Sequence, residues 1–185
     1  IGRPSPEGQF KAIAANIDSV LIVFASSPTP HVSLIDRYLV AIEQLHLAAV
    51  LVLNKLDLLN HEELTELDHM LSPYRSIGYP IYKVSAEDGR GLPELEQALA
   101  NQTTILVGQS GVGKSSLLNK LNSSKLADVA PLSETWARGT HTTTTSSLYH
   151  MHRFDLIDSP GIREFGLGHI DEQQVFDGFI EFRPF

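Results

Sequence analysis

The segment GQSGVGKS at residues 108–115 constrains the fold of this chain more than any other feature of its sequence. It follows an apolar run at residues 104–107 and precedes a stretch with helical spacing at residues 114–121. A glycine-rich turn between a strand and a helix lets backbone N–H groups point inward around phosphates, and the N-terminus of the helix faces the anion. The pattern therefore predicts a phosphate-binding loop in a nucleotide-binding α/β domain.

The residues of this loop have separate expected contributions. Lys114 is expected to place its positive charge on the β- and γ-phosphates, which also makes it a candidate catalytic residue. Ser115 is expected to offer its hydroxyl to Mg²⁺. The predicted phosphate-binding residues are Gly108, Gln109, Ser110, Gly111, Val112, Gly113, Lys114, Ser115 and Ser116.

A second motif predicts the contacts to the base of the nucleotide. Asp57 can accept two hydrogen bonds from the N1–H and N2 amino groups of guanine, and adenine lacks that pair of donors. Lys55 is expected to lie along the base, and Asn54 to brace the loop. After a short predicted strand, Ser85 and Ala86 follow, and the Ala86 N–H is expected to donate to guanine O6. The predicted base-binding residues are Asn54, Lys55, Leu56, Asp57, Ser85 and Ala86.

Two later segments are predicted to contact Mg²⁺ and the γ-phosphate. In the sequence Asp-Ser-Pro-Gly at residues 158–161, Asp158 is expected to bind Mg²⁺ through water and the Gly161 N–H to contact the γ-phosphate. One threonine of the run at residues 139–144 should complete the metal shell. Both Thr142 and Thr143 fit, so the predicted metal ligands are Ser115, Thr142, Thr143 and Asp158.

The group that orients the attacking water is less obvious in this chain. Ile162 stands where many GTPases carry a glutamine, and its side chain cannot hydrogen-bond to water. Hydrolysis therefore requires another group, a partner, or both. His141 is the nearest polar candidate in the sequence and is predicted to be catalytic, the alternative being a solvated loop histidine.

Strands alternate with helices along the chain, which predicts an α/β fold with a mostly parallel sheet and helices on both faces. The predicted strands are residues 20–25, 48–53, 81–84, 104–107, 143–150 and 153–157; the predicted helices are one capped by Ser33, and residues 61–76, 92–100 and 114–121. Residues 122–141 are expected to form a long polar loop. In an ordinary GTPase the phosphate loop precedes the base-reading motif, whereas here it follows. The motif order therefore predicts a circularly permuted P-loop GTPase fold.

Composition limits the classes of partner. The chain has 185 residues, of which 42% are hydrophobic and 19% charged, as expected for one soluble domain. Without cysteine it forms no disulfide and no cysteine zinc site. A net charge of −8 with only 14 Lys and Arg residues argues against this chain holding nucleic acid alone. The apolar runs are too short to cross a membrane, and no signal peptide pattern is present, so a cytoplasmic protein without membrane association is expected.

With these motifs in hand, the chain resembles the bacterial ribosome small subunit-dependent GTPase A family of circularly permuted GTPases. The resemblance covers nearly the whole chain. It rests on residues 14–18, 35–39, 52–57, 108–119, 141–144, 157–161 and 163–166.

The resemblance implies a late maturation factor of the small ribosomal subunit that uses GTP, GDP and Mg²⁺ and contacts 16S rRNA through the whole protein. It also implies an RNA-binding OB-fold before this domain and a zinc domain after it, so zinc is expected only there. The expected boundaries are a linker at residues 1–16, the permuted GTPase domain at 17–168 and the start of a second linker at 169–185. A monomer is expected. Two alternatives stay open: a permuted GTPase of the large subunit, and a nucleotide sensor with negligible hydrolysis.

Overall fold

A computed structural model of the protein describes residues 2–4, 10–12, 14–127, 146–158 and 171–182. The strands are β1 (Gly2–Pro4), β2 (Phe10–Ala12), β3 (Ser19–Ala25), β4 (Ala48–Asn54), β5 (Ile81–Lys83), β6 (Thr103–Val107), β7 (Ser147–His150) and β8 (Asp155–Asp158). The α-helices are α1 (Val32–Gln44), α2 (His61–Ile77), α3 (Leu92–Ala98), α4 (Lys114–Ala127) and α5 (Glu172–Gly178), and two 3₁₀ helices span Leu56–Leu58 and Ile180–Phe182.

Six of these strands form one sheet in the order β5-β4-β3-β6-β8-β7. Neighbouring strands run parallel except at one edge, where β7 pairs antiparallel with β8. The remaining two strands, β1 and β2, form a separate antiparallel pair. The predicted mostly parallel sheet is confirmed.

The central strand β3 explains why helices cover both faces. Every residue of β3 is buried, and its side chains alternate between two hydrophobic cores. Val20 and Ile22 lie in the first core, where α1 and α2 contribute apolar side chains such as Ile42 and Leu71. The second core lies on the other face and receives side chains from α3 and α4. Its members include Leu21, Val23, Leu95, Leu117 and Leu121.

The structure differs from the sequence predictions at the start of α1 and at the end of α4. Helix α1 begins one residue before Ser33, which was predicted to be its cap, and the N-cap is His31, without a side-chain cap. The carbonyl of His31 already accepts from the N–H of Leu34 at 2.9 Å, so the first turn starts earlier. Helix α4 continues to Ala127, beyond its predicted end at residue 121, because residues 122–127 contain no proline or glycine to interrupt the backbone hydrogen bonds.

The segments expected to be linkers contain secondary structure. The β1–β2 pair lies in residues 1–16, and α5 lies in residues 169–185. Helix α5 is capped by Asp171 and packs on α1, where a Cβ on Gly178 would lie 2.7 Å from the Val40 side chain. The domain boundaries themselves stay a prediction. Among the described residues, no helix has the length and apolar character needed to span a membrane.

Candidate nucleotide-binding site

The predicted motifs meet at one edge of the sheet because they follow parallel strands. Asn54 ends β4, Gly108 follows β6, and Asp158 ends β8. Ser85 follows β5, two residues after its last position. The carboxyl ends of parallel strands share an edge, and open α/β sheets bind ligands there. Segments more than fifty residues apart in the sequence therefore form one candidate site.

Asn54 connects the base-reading motif to the phosphate loop. Its side chain is buried, with 1% of the residue exposed. The amide nitrogen donates to the Val112 carbonyl at 3.0 Å, and the amide oxygen accepts from the Ala86 N–H at 3.1 Å. One buried side chain thus holds three parts of the predicted site in register.

Two glycines of the phosphate loop are required by close approach as well as by their backbone conformation. Gly108 has φ of +140°, and a Cβ there would collide with the Val23 carbonyl. Gly113 has φ of +92°, and a Cβ there would collide with the amide nitrogen of Asn54. Because L-residues with side chains rarely adopt positive φ, both positions exclude other residues on two independent grounds.

Lys114 and Asp158 supply opposite charges to the phosphate end of the site. The Lys114 ammonium donates to the carbonyls of Gly108 and Gln109 at 2.7 and 2.8 Å, so it lies against the loop that precedes it. Burial raises the pKa of Asp158, and the positive charge of Lys114 partly opposes that increase. The two side chains therefore interact electrostatically across the site.

Lys55 fastens the base-reading motif to two other loops. Its backbone is left-handed, with φ of +64°. Its ammonium donates to the carbonyls of Ser27 and Gly111, each at 2.7 Å. Ser27 lies just beyond the end of β3, and its neighbour Pro28 lies beside Gly111. The lysine thus joins the ends of β3 and β4 to the phosphate loop.

Asp57 and Ser85 interact directly in the part of the site predicted to bind the base. The Ser85 hydroxyl donates to an Asp57 carboxylate oxygen at 2.5 Å and accepts from the Asp88 N–H at 3.1 Å. Ser85 is fully buried. The Ala86 N–H, predicted to donate to guanine O6, donates to Asn54 in this structure.

The other predicted site residues are exposed, begin a short helix or lie outside the described residues. Leu56 begins the 3₁₀ helix after Lys55, and Ser110, Ser115 and Ser116 are exposed on the phosphate loop and the first turn of α4. Four predicted site residues, namely His141, Thr142, Thr143 and Gly161, lie outside the described residues, as does Ile162.

Sequence reasoning missed two contacts around the site. The Ser27 carbonyl binds Lys55, and its only sequence signal was its place just after a buried strand. Lys120 on α4 donates to the Glu87 carbonyl at 3.0 Å, and nothing in the helical pattern indicated this. Both involve backbone carbonyls, which carry no residue signature.

The strand order, the shared edge and the linked motifs define a P-loop GTPase fold whose motif order is circularly permuted. Comparison with known proteins agrees with this class. The RsgA GTPase family model matches residues 1–168. The chain therefore belongs to the RsgA GTPase family.

Curated relatives and solved structures extend the comparison. The chain is 54% identical over 182 residues to the small ribosomal subunit biogenesis GTPase RsgA of Pseudomonas putida, covering 98% of this chain and 53% of the relative. The protein of the same name from Pseudomonas syringae pv. syringae is 52% identical over 181 residues, covering 97% of this chain and 53% of the relative. The chain thus spans about half the length of the curated relatives that it matches.

Among solved structures, YjeQ from Thermotoga maritima has a TM-score of 0.75 at 32% identity, covering 90% of this chain and 56% of that chain. YloQ, described as a circularly permuted GTPase, has a TM-score of 0.71 at 25% identity and covers 95% of this chain and 58% of that chain. Both likenesses support the permuted fold.

Proposed function

We propose that this chain is the Mg²⁺-dependent, GTP-binding and GTP-hydrolysing domain of a small ribosomal subunit biogenesis factor. The observation that carries the proposal is the amide of Asn54, which bonds to Val112 of the phosphate loop and to Ala86 of the predicted base loop. A buried side chain shared by two loops suits a ligand with both a base and phosphates. Membership of the RsgA GTPase family supports the same function.

Guanine selectivity is proposed to depend on Asp57. The hydroxyl of Ser85 orients its carboxylate by donating to one oxygen, and a carboxylate can accept further hydrogen bonds from guanine. Adenine offers no matching donors, and an unpaired polar group in the site costs about 1–3 kcal/mol. The Ala86 N–H would donate to guanine O6 either in addition to Asn54, as a bifurcated hydrogen bond, or in place of it.

The residues present fit a magnesium ion. Hydroxyl and carboxylate oxygens are the ligands that Mg²⁺ prefers, and Ser115 and Asp158 offer one of each. Burial raises the pKa of Asp158 and Lys114 offsets this only in part, so a bound cation would further stabilise the charged carboxylate. When bound, Mg²⁺ would neutralise charge on the β- and γ-phosphates. Thr142 and Thr143 remain the proposed further ligands.

Two residues are proposed to assist hydrolysis. Lys114 would exchange its bonds to the loop carbonyls for the β- and γ-phosphates, where its charge stabilises the transition state. His141 is proposed to orient the attacking water, because Ile162 cannot hydrogen-bond to it. The proposed contact of the Gly161 N–H with the γ-phosphate completes this part of the site.

Association with the ribosome is proposed for the whole protein rather than for this chain alone. The relatives are named for small ribosomal subunit biogenesis, and we extend that role, with contact to 16S rRNA, to the protein that contains this domain. The net charge of −8 opposes direct binding of rRNA by these residues. We propose that it acts as a cytoplasmic monomer, with an OB-fold before residues 17–168 and a zinc domain after them.

The experiment that tests this function measures GTP hydrolysis by the whole protein and by this chain, with purified small and large ribosomal subunits added separately. We expect both proteins to bind guanine nucleotides, and small subunits to stimulate only the whole protein. Stimulation by large subunits instead of small ones would contradict the proposed partner and favour a large-subunit GTPase. A protein that binds GTP but hydrolyses none under either condition would be a nucleotide sensor.

A further inference from the structure

Helix α4 reaches the base loop as well as the phosphates. It begins at Lys114, and two turns later the ammonium of Lys120 donates to the Glu87 carbonyl at 3.0 Å. Glu87 directly follows Ala86, whose N–H is the proposed donor to guanine O6. A hydrogen bond therefore joins the phosphate-binding helix to the loop proposed to read the base.

The base loop is a turn closed by its own hydrogen bonds. The Gly89 N–H donates to the Ser85 carbonyl at 2.9 Å, and the Ser85 N–H donates to the Arg90 carbonyl at 3.0 Å. The Asp88 N–H also donates to the Ser85 hydroxyl at 3.1 Å. Because these bonds close the turn on itself, its place in the site depends on bonds that leave it. Such bonds include those to Asn54, Asp57 and Lys120.

The stem of Lys120 lies beside this turn, while its bond to the Glu87 carbonyl is exposed to solvent. A Cβ on Gly89 would lie 3.6 Å from Cε of Lys120. Lys120 also lines a groove of about 290 Å³ between α3 and α4, together with the carboxylate-bearing Glu96 and the exposed Ser123. The stem thus lies along the groove while the ammonium reaches the Glu87 carbonyl at the surface.

We propose that Lys120 is a positioning residue for guanine recognition. By binding the Glu87 carbonyl, Lys120 restrains the neighbouring Ala86 beside Asn54, from where the Ala86 N–H can share its bond with the base's O6, and it links Ala86 to the helix that begins at the phosphates. The inference rests on the proposed function. It adds a residue outside the nucleotide-binding motifs as a determinant of base selectivity.

The test compares GDP and ADP affinities, measured by competition against a fluorescent GDP analogue. Lys120→Met removes the ammonium and keeps an unbranched apolar stem. GDP affinity should fall about threefold to tenfold, the worth of one net hydrogen bond. ADP has no O6, so its affinity should not change, and the selectivity for GDP should fall by the same factor. Lys120→Arg keeps a donor and should restore most of the selectivity.

The matched control is Ser123→Ala, since Ser123 lines the same groove and its hydroxyl donates to the Lys120 carbonyl within its own helix rather than to the base loop. It should bind GDP and ADP like the parent. If Lys120→Met weakens both nucleotides equally, or neither, the positioning role is wrong while the proposed function stands. A parent that binds GDP and ADP equally would overturn the proposed function and this inference with it.

Discussion

Replacing Asn54 with alanine should weaken the fold and the nucleotide site together. The amide makes two hydrogen bonds of ordinary length, to the Val112 carbonyl at 3.0 Å and from the Ala86 N–H at 3.1 Å. Each contributes about 1 kcal/mol net, and a partner left unsatisfied in a buried place costs about 1–3 kcal/mol. With 1% of Asn54 exposed, water reaches these groups poorly.

The expected loss in the free energy of unfolding is about 2–4 kcal/mol, a large part of the stability of a typical domain. Urea unfolding without nucleotide measures it directly. The matched control is Asn119→Ala, because Asn119 is exposed on α4. That change should alter the free energy of unfolding by less than about 0.5 kcal/mol.

Binding provides a second measurement on the same variant. Loss of the Asn54 amide releases Ala86 from the phosphate loop, so GDP should bind at least tenfold more weakly to the folded Asn54→Ala protein, a change of about 1.4 kcal/mol. Calorimetry at a temperature where the variant stays folded separates this effect from unfolding. If Asn54→Ala unfolds at the parent's urea concentration and binds GDP like the parent, the amide does not hold the site together.

Three further substitutions test individual groups. Asp57→Asn should shift the preference from guanine to xanthine nucleotides, because the new amide can keep the Ser85 contact and donate to the xanthine O2. Unchanged selectivity for GDP in a calorimetric titration would contradict the role of Asp57. Lys114→Ala should weaken GTP binding at least tenfold, about 1.4 kcal/mol, with little effect on urea unfolding; parent-like GTP affinity would show that the phosphate loop is wrongly assigned. His141→Ala should slow subunit-stimulated hydrolysis at least tenfold and leave GDP affinity near that of the parent, because a group that acts on the transition state affects turnover most. Unchanged turnover would show that His141 has no catalytic role.

Most of the fold could be predicted from local patterns. A strand covered on both faces needs only a continuous apolar run, and residues 20–25 and 48–53 provide two, which form most of β3 and β4. Helix ends were less predictable. Helix α4 extends through residues 122–127, beyond its predicted end at residue 121, because a polar stretch without proline or glycine can still keep an unbroken backbone.

For the candidate site too, some residues could be predicted from the sequence and others could not. The motif residues Asp57, Ser85 and Lys114 could be proposed from the sequence because the chemistry expected of them requires particular side chains at fixed spacings. The proposed roles of His141 and Gly161 rest on the sequence alone. The partners of Lys55 and Lys120 could not be predicted, since both lysines bind backbone carbonyls from distant segments.

The sequence by itself determined the class of fold and the rotated order of the motifs, and it supplied the side chains for which we propose contacts to a guanine nucleotide. These depend on residue type and local spacing. The tertiary structure decided how the motifs are joined: Asn54 to Val112 and Ala86, Lys55 to Ser27, and α4 to the base loop. Such contacts depend on strand order, register and side-chain rotamers, which arise only when parallel strands bring distant segments to one edge of the sheet.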